Sequence, residues 1–280
     1  MLLGGVELTR VSDGVYWLDG GAHFGIVPRV LWEPLIAPDE KHRVPMGLNC
    51  LLIQSAGKQI LVDTGLGSKL TPKRTDVLRL ERENGLVGRL EEMGFAAEDV
   101  DIVVNTHLHA DHCGGNTTFN THGQPVPTFA RAEYWIQRLE WADARYPNER
   151  TGATYLPENL IPLERSGQLR LLSGDTPVTD EVRCVVTRGH TRAHQSVVIQ
   201  SQGQAALYLG DLASWKENIE RLAWTSAGDV EPLDTIETKR AIQRWVLEEE
   251  VLLIFEHDPR ITAGYLRQRG DGLEVEPVDL

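Results

Sequence analysis

Residues 106–115 read THLHADHCGG, and the apolar run DIVVN, residues 101–105, leads straight into them. Three histidines and an aspartate fall between His107 and His112. In extended backbone, side chains two apart point the same way, so His107 and His109 face one point and can share one metal ion. Asp111 and His112 follow where the chain turns, within reach of a second ion. Packing has no use for so many desolvated polar groups. Neutral imidazoles with a carboxylate suit Zn²⁺, with iron, manganese or cobalt as alternatives. Gly114 and Gly115 let the backbone turn tightly behind the cluster. Cys113 beside them reads as a small buried thiol rather than a nucleophile.

Further apolar, strand-like runs also end in a His or Asp: RCVVTRG at His190, AALYLG at Asp211 and VLLIFE at His257. Open α/β sheets gather ligands at the carboxyl ends of their strands, so these termini are expected to converge with the first cluster on one site. Asp63, in VDTG, either orients a metal-bound histidine from behind or caps its own turn. His194 reads as a supporting histidine, because His190 already fills the metal position. His23, His42 and His122 lack partner spacing and read as non-ligands.

Strands alternate with helices in both halves, which gives an α/β layered fold. Nothing resembles a linker, so residues 1–280 read as a single domain, with a helical and irregular lid inserted at about 119–170. VELTRV is expected to form a hairpin with GVYWLD, and NCLLIQ with QILVDTG across SAGK. A helix is expected near 76–93. Ala132–Arg145 also reads as helical, with Trp135, Ile136 and Leu139 toward the core and Tyr134, Arg138 and Trp141 on another face. A later helix is expected to start at the cap Asp234, with Glu237 three residues on, and to run to about Glu249. RGDG marks a terminal hairpin.

The net charge of −13 opposes a nucleic-acid role, where a basic surface neutralises phosphates. A small neutral or weakly charged substrate suits it better. No apolar run approaches the roughly 20 residues that span a bilayer, so no membrane role is expected. The start, MLLGGVELTR, carries no secretory pattern. Cys50, Cys113 and Cys184 are odd in number and widely spaced, which fits reduced thiols and a cytoplasmic location.

THLHADHCGG matches the HxHxDH signature of the metallo-β-lactamase superfamily, and GHTRAHQS, LGD and FEHD follow in that superfamily's order and rough spacing. The stretches GGAHFGIVPRVLWEPLIAPDEKHRVPMGLNCLLI, PNERTGATYLPEN and DTIETK resemble its YtnP-like quorum-quenching lactonases, and the resemblance covers nearly the whole chain. It implies an αββα sandwich with two zinc-type ions in a cleft at the sheet edges. Carried over by position, His107, His109 and His190 hold the first ion, Asp111, His112 and His257 hold the second, and Asp211 bridges them. The implied reaction is the opening of N-acyl-homoserine lactones: a hydroxide bridging the ions attacks the ester carbonyl. Asp111 is the candidate catalytic residue that carries a proton to the leaving alkoxide.

The substrate pocket is expected to use Phe24, Trp32, Tyr134, Trp141 and Trp215. FGIVPRVLW, residues 24–32, either lines an acyl pocket or packs against a partner subunit in a homodimer. Two departures bear on the pocket wall. Arg192 and Ala193 stand inside GHTRAH, where the superfamily reads close to GHTPGH. GDLASWKENIERLAW also lacks a histidine that relatives often carry after the bridging Asp. An aryl esterase or organophosphate hydrolase of the same chemistry is therefore the alternative. A glyoxalase II-type thioesterase is disfavoured because no basic C-terminal helical module is present. A metal-stabilised binding protein is disfavoured because structural zinc sites are closed, whereas a site with an open position catalyses.

Overall fold

Runs such as LNCLLI and LLIF are too apolar to leave either face in water. They pair into two seven-stranded sheets in this computed structural model, which describes residues 1–280. The first sheet takes β1 (Leu2–Leu3), β2 (Val6–Asp19), β3 (Arg43–Ser55), β4 (Lys58–Val62) and β5 (Ile102–Val104). After a separate ribbon of β6 (Thr117–Phe119) and β7 (Pro125–Pro127), β8 (Glu133–Gln137) and β9 (Leu169–Leu172) complete it. The second sheet runs in sequence order through β10 (Thr176–Pro177), β11 (Val182–Val186), β12 (Gln195–Ser201) and β13 (Gln204–Tyr208). It ends with β14 (Leu252–Ile254), β15 (Ala263–Arg269) and β16 (Gly272–Pro277). Neighbours β4, β5, β8 and β9 are parallel, as are β13 and β14, so their carboxyl ends share an edge.

Between the sheets, Leu8, Leu51, Ile53 and Val62 meet Val197, Ile199, Tyr208 and Ile254. Each such aliphatic side chain contributes roughly 1.5–3 kcal/mol on full burial. Helices cover the outer faces. Leu86, Leu90, Trp141, Leu160 and Leu163 pack on Val103, Tyr134 and Ile136. On the far side Val246 of the helix Pro232–Glu248 packs on Leu207 and Leu253. The layers are helix, sheet, sheet, helix, the αββα sandwich expected. No helix is long and apolar enough to cross a membrane.

Several local expectations are corrected. VELTRV and GVYWLD form no hairpin; they are one strand, β2, with a bulge between Ser12 and Val15. The helix expected near 76–93 is two helices, Pro72–Leu78 and Gly85–Glu92, parted where Arg79 (φ 42°) and Gly85 (φ 65°) turn left-handed. Ala132–Arg145 is not one helix. Glu133–Gln137 is strand β8, pairing in parallel with β5, and only Arg138–Arg145 is helical. Sheet pairing there overrides the helical periodicity. Trp135 thus enters the inter-sheet core while Tyr134 and Ile136 enter the outer one, and Leu139 is 43% exposed rather than core. The stretch 119–170 is therefore not wholly a lid, since β8 lies inside the first sheet. The late helix starts at Pro232 after Glu231; Asp234 sits in its first turn, 3.3 Å from Arg188, instead of capping it. The hairpins around SAGK and RGDG form as read.

Candidate metal centre

Strands β5, β11, β13 and β14 end at Val104, Val186, Tyr208 and Ile254, and His107, His190, Asp211 and His257 lie just past those ends. The short helix Ala110–Cys113 then turns Asp111 and His112 back toward them. Two groups result, each able to hold an ion: His107, His109, His190 and Asp211, and beside them Asp111, His112 and His257. Asp211 lies between the groups. Its Oδ2 is 3.0 Å from His190 Nε2 and 3.5 Å from His112 Nε2, and its Oδ1 is 3.2 Å from His257 Nε2.

The donor atoms fit a metal. His107 Nε2 is fully buried and has no hydrogen-bond partner. His257 Nε2 and His112 Nε2 face each other at 3.1 Å, as do His190 Nε2 and His109 Nδ1. Ring nitrogens paired in this way can share either a proton or a metal ion. The far side of each ring fixes its orientation. His257 Nδ1 donates to Gly47 O at 2.6 Å, and His190 Nδ1 meets Asp229 Oδ1 at 2.9 Å. His112 Nδ1 lies 3.0 Å from Asp63 Oδ2 and 2.8 Å from Glu256 Oε2. Carboxylates and carbonyls behind metal-ligating histidines set the tautomer and raise ligand basicity.

The charges agree with that arrangement. Burial, with neighbouring histidines, holds His107 well below the usual imidazole range and His109 down to about 3, so both rings are neutral. Burial also works against protonation of His190 and His257, but the Asp211 carboxylate outweighs it and raises them to about 10 and about 9. A metal ion would therefore compete with protons at His190 and at His257, one in each group.

Asp63 accepts from Thr106 N at 2.7 Å and Thr106 Oγ1 at 2.6 Å, so it fixes the start of the HxHxDH turn as well as His112. His194 is not in either group; its Nε2 accepts from Asp211 N at 3.0 Å and so holds the central carboxylate's backbone. Cys113 is buried, its Sγ donating to Leu108 O. A Cβ on Gly114 or Gly115 would collide with the backbone carbonyls of Leu66 and Thr64, which explains both glycines.

A cavity of about 750 Å³ opens over the cluster, floored by His109, Asp111, His190, Asp211 and His257. Leu18, Met46, Leu66, Leu70 and Leu78, which pack in one apolar cluster, line one part of it; Lys73, Arg74, Val77, Arg150, Thr151, Thr154 and Ser226 lie among the remaining lining. The expected pocket residues Phe24, Trp32, Tyr134, Trp141 and Trp215 do not line it. Phe24 stacks on Trp32 at 4.9 Å and meets Trp215 edge-on, all buried behind the cavity. Tyr134 and Trp141 belong to the outer core of the first sheet. Large aromatics bury the most area, and the fold uses these for packing. His23, set aside as a non-ligand, does line the cavity, 2% exposed against Trp215.

Sequence reasoning missed Tyr16, whose hydroxyl is 2.6 Å from Asp111 Oδ2, as well as Asp229, Glu256 and Glu140. Only Glu256 carried a local signal, an acidic residue directly preceding His257.

The metallo-beta-lactamase superfamily model matches residues 43–257. An N-acyl homoserine lactonase of Bacillus cereus is 28% identical over an alignment covering 75% of this chain and 80% of the relative. A solved probable metal-dependent hydrolase from Staphylococcus aureus is 25% identical, with TM-score 0.89 and 100% of each chain covered. AidC, a dizinc quorum-quenching lactonase in complex with a product, shares the fold at 20% identity and TM-score 0.82, with 100% of this chain and 97% of that one covered.

Proposed function

Because the chain belongs to the metallo-β-lactamase superfamily, we propose that this metal-dependent hydrolase opens N-acyl-homoserine lactones. The proposal places one Zn²⁺ ion at His107, His109 and His190 and a second at Asp111, His112 and His257, with Asp211 between them. When bound, such ions supply an activated water and a Lewis acid for the carbonyl oxygen. The protein's own groups do the rest. His109, Asp111, His190, Asp211 and His257 present a polar floor to the ester, and the aliphatic patch from Leu18 to Leu78 takes an apolar tail. Tyr16 ties Asp111 Oδ2, and no protein group bonds Oδ1, which is left to carry a proton to the departing ring oxygen. Leu66, Leu70 and Leu78 exclude water from that side of the reacting ester.

The observation that carries this reading is the juxtaposition, in one cavity, of the His and Asp cluster with an aliphatic patch of Leu18, Met46, Leu66, Leu70 and Leu78. A lactone bearing an acyl chain matches both halves. The homodimer belongs to the same proposal, supported by Ile26, Val30 and Leu31, which stand 89%, 76% and 56% exposed on FGIVPRVLW.

The test is a panel of acyl-homoserine lactones of increasing chain length beside an aryl ester and paraoxon. Lactones are expected to give the highest kcat/KM. Their KM should fall by about fourfold per added methylene until the patch is covered, at ~0.8 kcal/mol per buried CH₂. A preference for the aryl ester or paraoxon, or a KM indifferent to chain length, would remove the lactonase reading.

A further inference from the structure

The bulge in β2 decides where one side chain points. Val11 stands opposite Cys50 and Tyr16 opposite Met46, so the partners are four residues apart on β3, on one face, while Val11 and Tyr16 are five apart. Strict alternation from Val11 would place Val15 and Trp17 on that face and turn Tyr16 away. The extra residue brings Tyr16 back, and Gly14, at φ 121°, supplies the conformation the bulge needs. Tyr16 therefore lines the cavity beside Met46, 4% exposed.

Its hydroxyl donates to Asp111 Oδ2 at 2.6 Å, a charge-assisted bond in a desolvated setting. It is the one hydrogen bond the protein makes to that carboxylate; His257 and His112 stand farther off, at 3.7 and 3.9 Å. The Tyr16 ring also meets His257 edge-on, centroids 5.9 Å apart. One side chain thus braces two members of the Asp111, His112 and His257 group.

We propose that Tyr16 is a positioning residue: its hydroxyl holds Asp111 by one oxygen and leaves the other open to the cavity, which sets metal binding at that group and proton delivery by Asp111. The proton-delivery part rests on the proposed function; the metal-binding part does not.

Tyr16→Phe keeps the ring and removes the hydroxyl. Metal-free protein is titrated with Co²⁺ and followed by visible absorption. The variant is expected to bind at one step about 10-fold or more weakly, the usual scale for removing a partner behind a metal ligand, with the other step unchanged. Its metal-free melting temperature should stay within a few degrees of wild type. On any ester the wild type cleaves, kcat should fall roughly 10–100-fold while KM stays within about threefold. A lower melting temperature with unchanged Co²⁺ binding and kcat marks a merely structural tyrosine and overturns the proposal, as does a variant identical to wild type.

Asp111→Asn provides the second variant, and a comparison that holds even where Tyr16→Phe lowers the folded yield. Both substitutions must weaken the same Co²⁺ step, and the double variant must lose no more than Asp111→Asn alone. Additive losses, or loss at the other step, overturn the proposal. A wild type inactive on lactones would remove the proposed substrate and leave the Co²⁺ titration to judge Tyr16.

Discussion

Asp211→Asn is expected to lose bound metal and hydrolytic activity together, with kcat/KM falling by roughly 10³-fold. The carboxylate stands 3.0 Å from His190 and 3.2 Å from His257, between the groups that would each hold an ion. An amide has nearly the same shape but no charge, and it turns N–H hydrogens toward nitrogens that can share a proton or a metal ion. The same change alters the metal-free protein. His190 and His257 have folded pKa values of about 10 and about 9, above the ordinary 6.5. Their protonation stabilises the fold fully below about pH 6.5, and that contribution is lost as pH rises through 9 to 10. Asp211→Asn should flatten this dependence in thermal melts of the metal-free protein. Metal content and initial rates decide the main point: a variant with full occupancy and normal turnover takes Asp211 out of the centre of the site.

Glu140→Ala is expected to give the second large effect, through stability. Glu140 is 1% exposed and accepts from Leu108 N at 2.9 Å, Tyr155 OH at 3.1 Å and Thr191 Oγ1 at 2.6 Å. Leu108 lies between the candidate ligands His107 and His109, and Thr191 directly follows His190. One buried carboxylate therefore ties the two turns that carry the candidate ligands to the helix Arg138–Arg145. Truncation strands three donors at about 1–3 kcal/mol each, so a loss of about 3 kcal/mol or more is expected, a fall of roughly 6–12 °C in Tm. Metal affinity should drop by about 10-fold or more as the turns loosen. Glu140→Gln keeps the volume and two acceptor contacts and should lose less than half as much. Equal melting temperatures for wild type and Glu140→Ala would show that the turns are held by other contacts.

The contrast between residues that were legible in sequence and those that were not has a physical basis. His107, His190, Asp211 and His257 each follow an apolar, strand-like run, β5 in the first sheet and β11, β13 and β14 in the second, so their meeting where strand ends of the two sheets come together was readable from the order of the runs. The division between the His107 and His109 side and the Asp111 and His112 side came from local geometry and is the grouping the fold displays. The segment around β8 misled because its apolar positions satisfy helical and strand periods alike, and only its pairing with β5 decides. Tyr16 was invisible because a bulge shifts the alternation that would have placed it. Asp229 reaches His190 across a gap of 39 residues with no pattern to mark it. Phe24, Trp32 and Trp215 looked like pocket walls because aromatics serve both core and cavity, and nothing local separates the two uses.

The most direct test of the central claim is lactone ring opening by the purified, metal-loaded protein, followed as acid release, before chelation, after it, and after metal is returned. Rapid opening of an acyl-homoserine lactone is expected, with loss of activity on chelation and recovery when Zn²⁺ or another divalent ion is restored. Opening that persists in protein shown to be free of metal, or none from fully loaded protein, would contradict it.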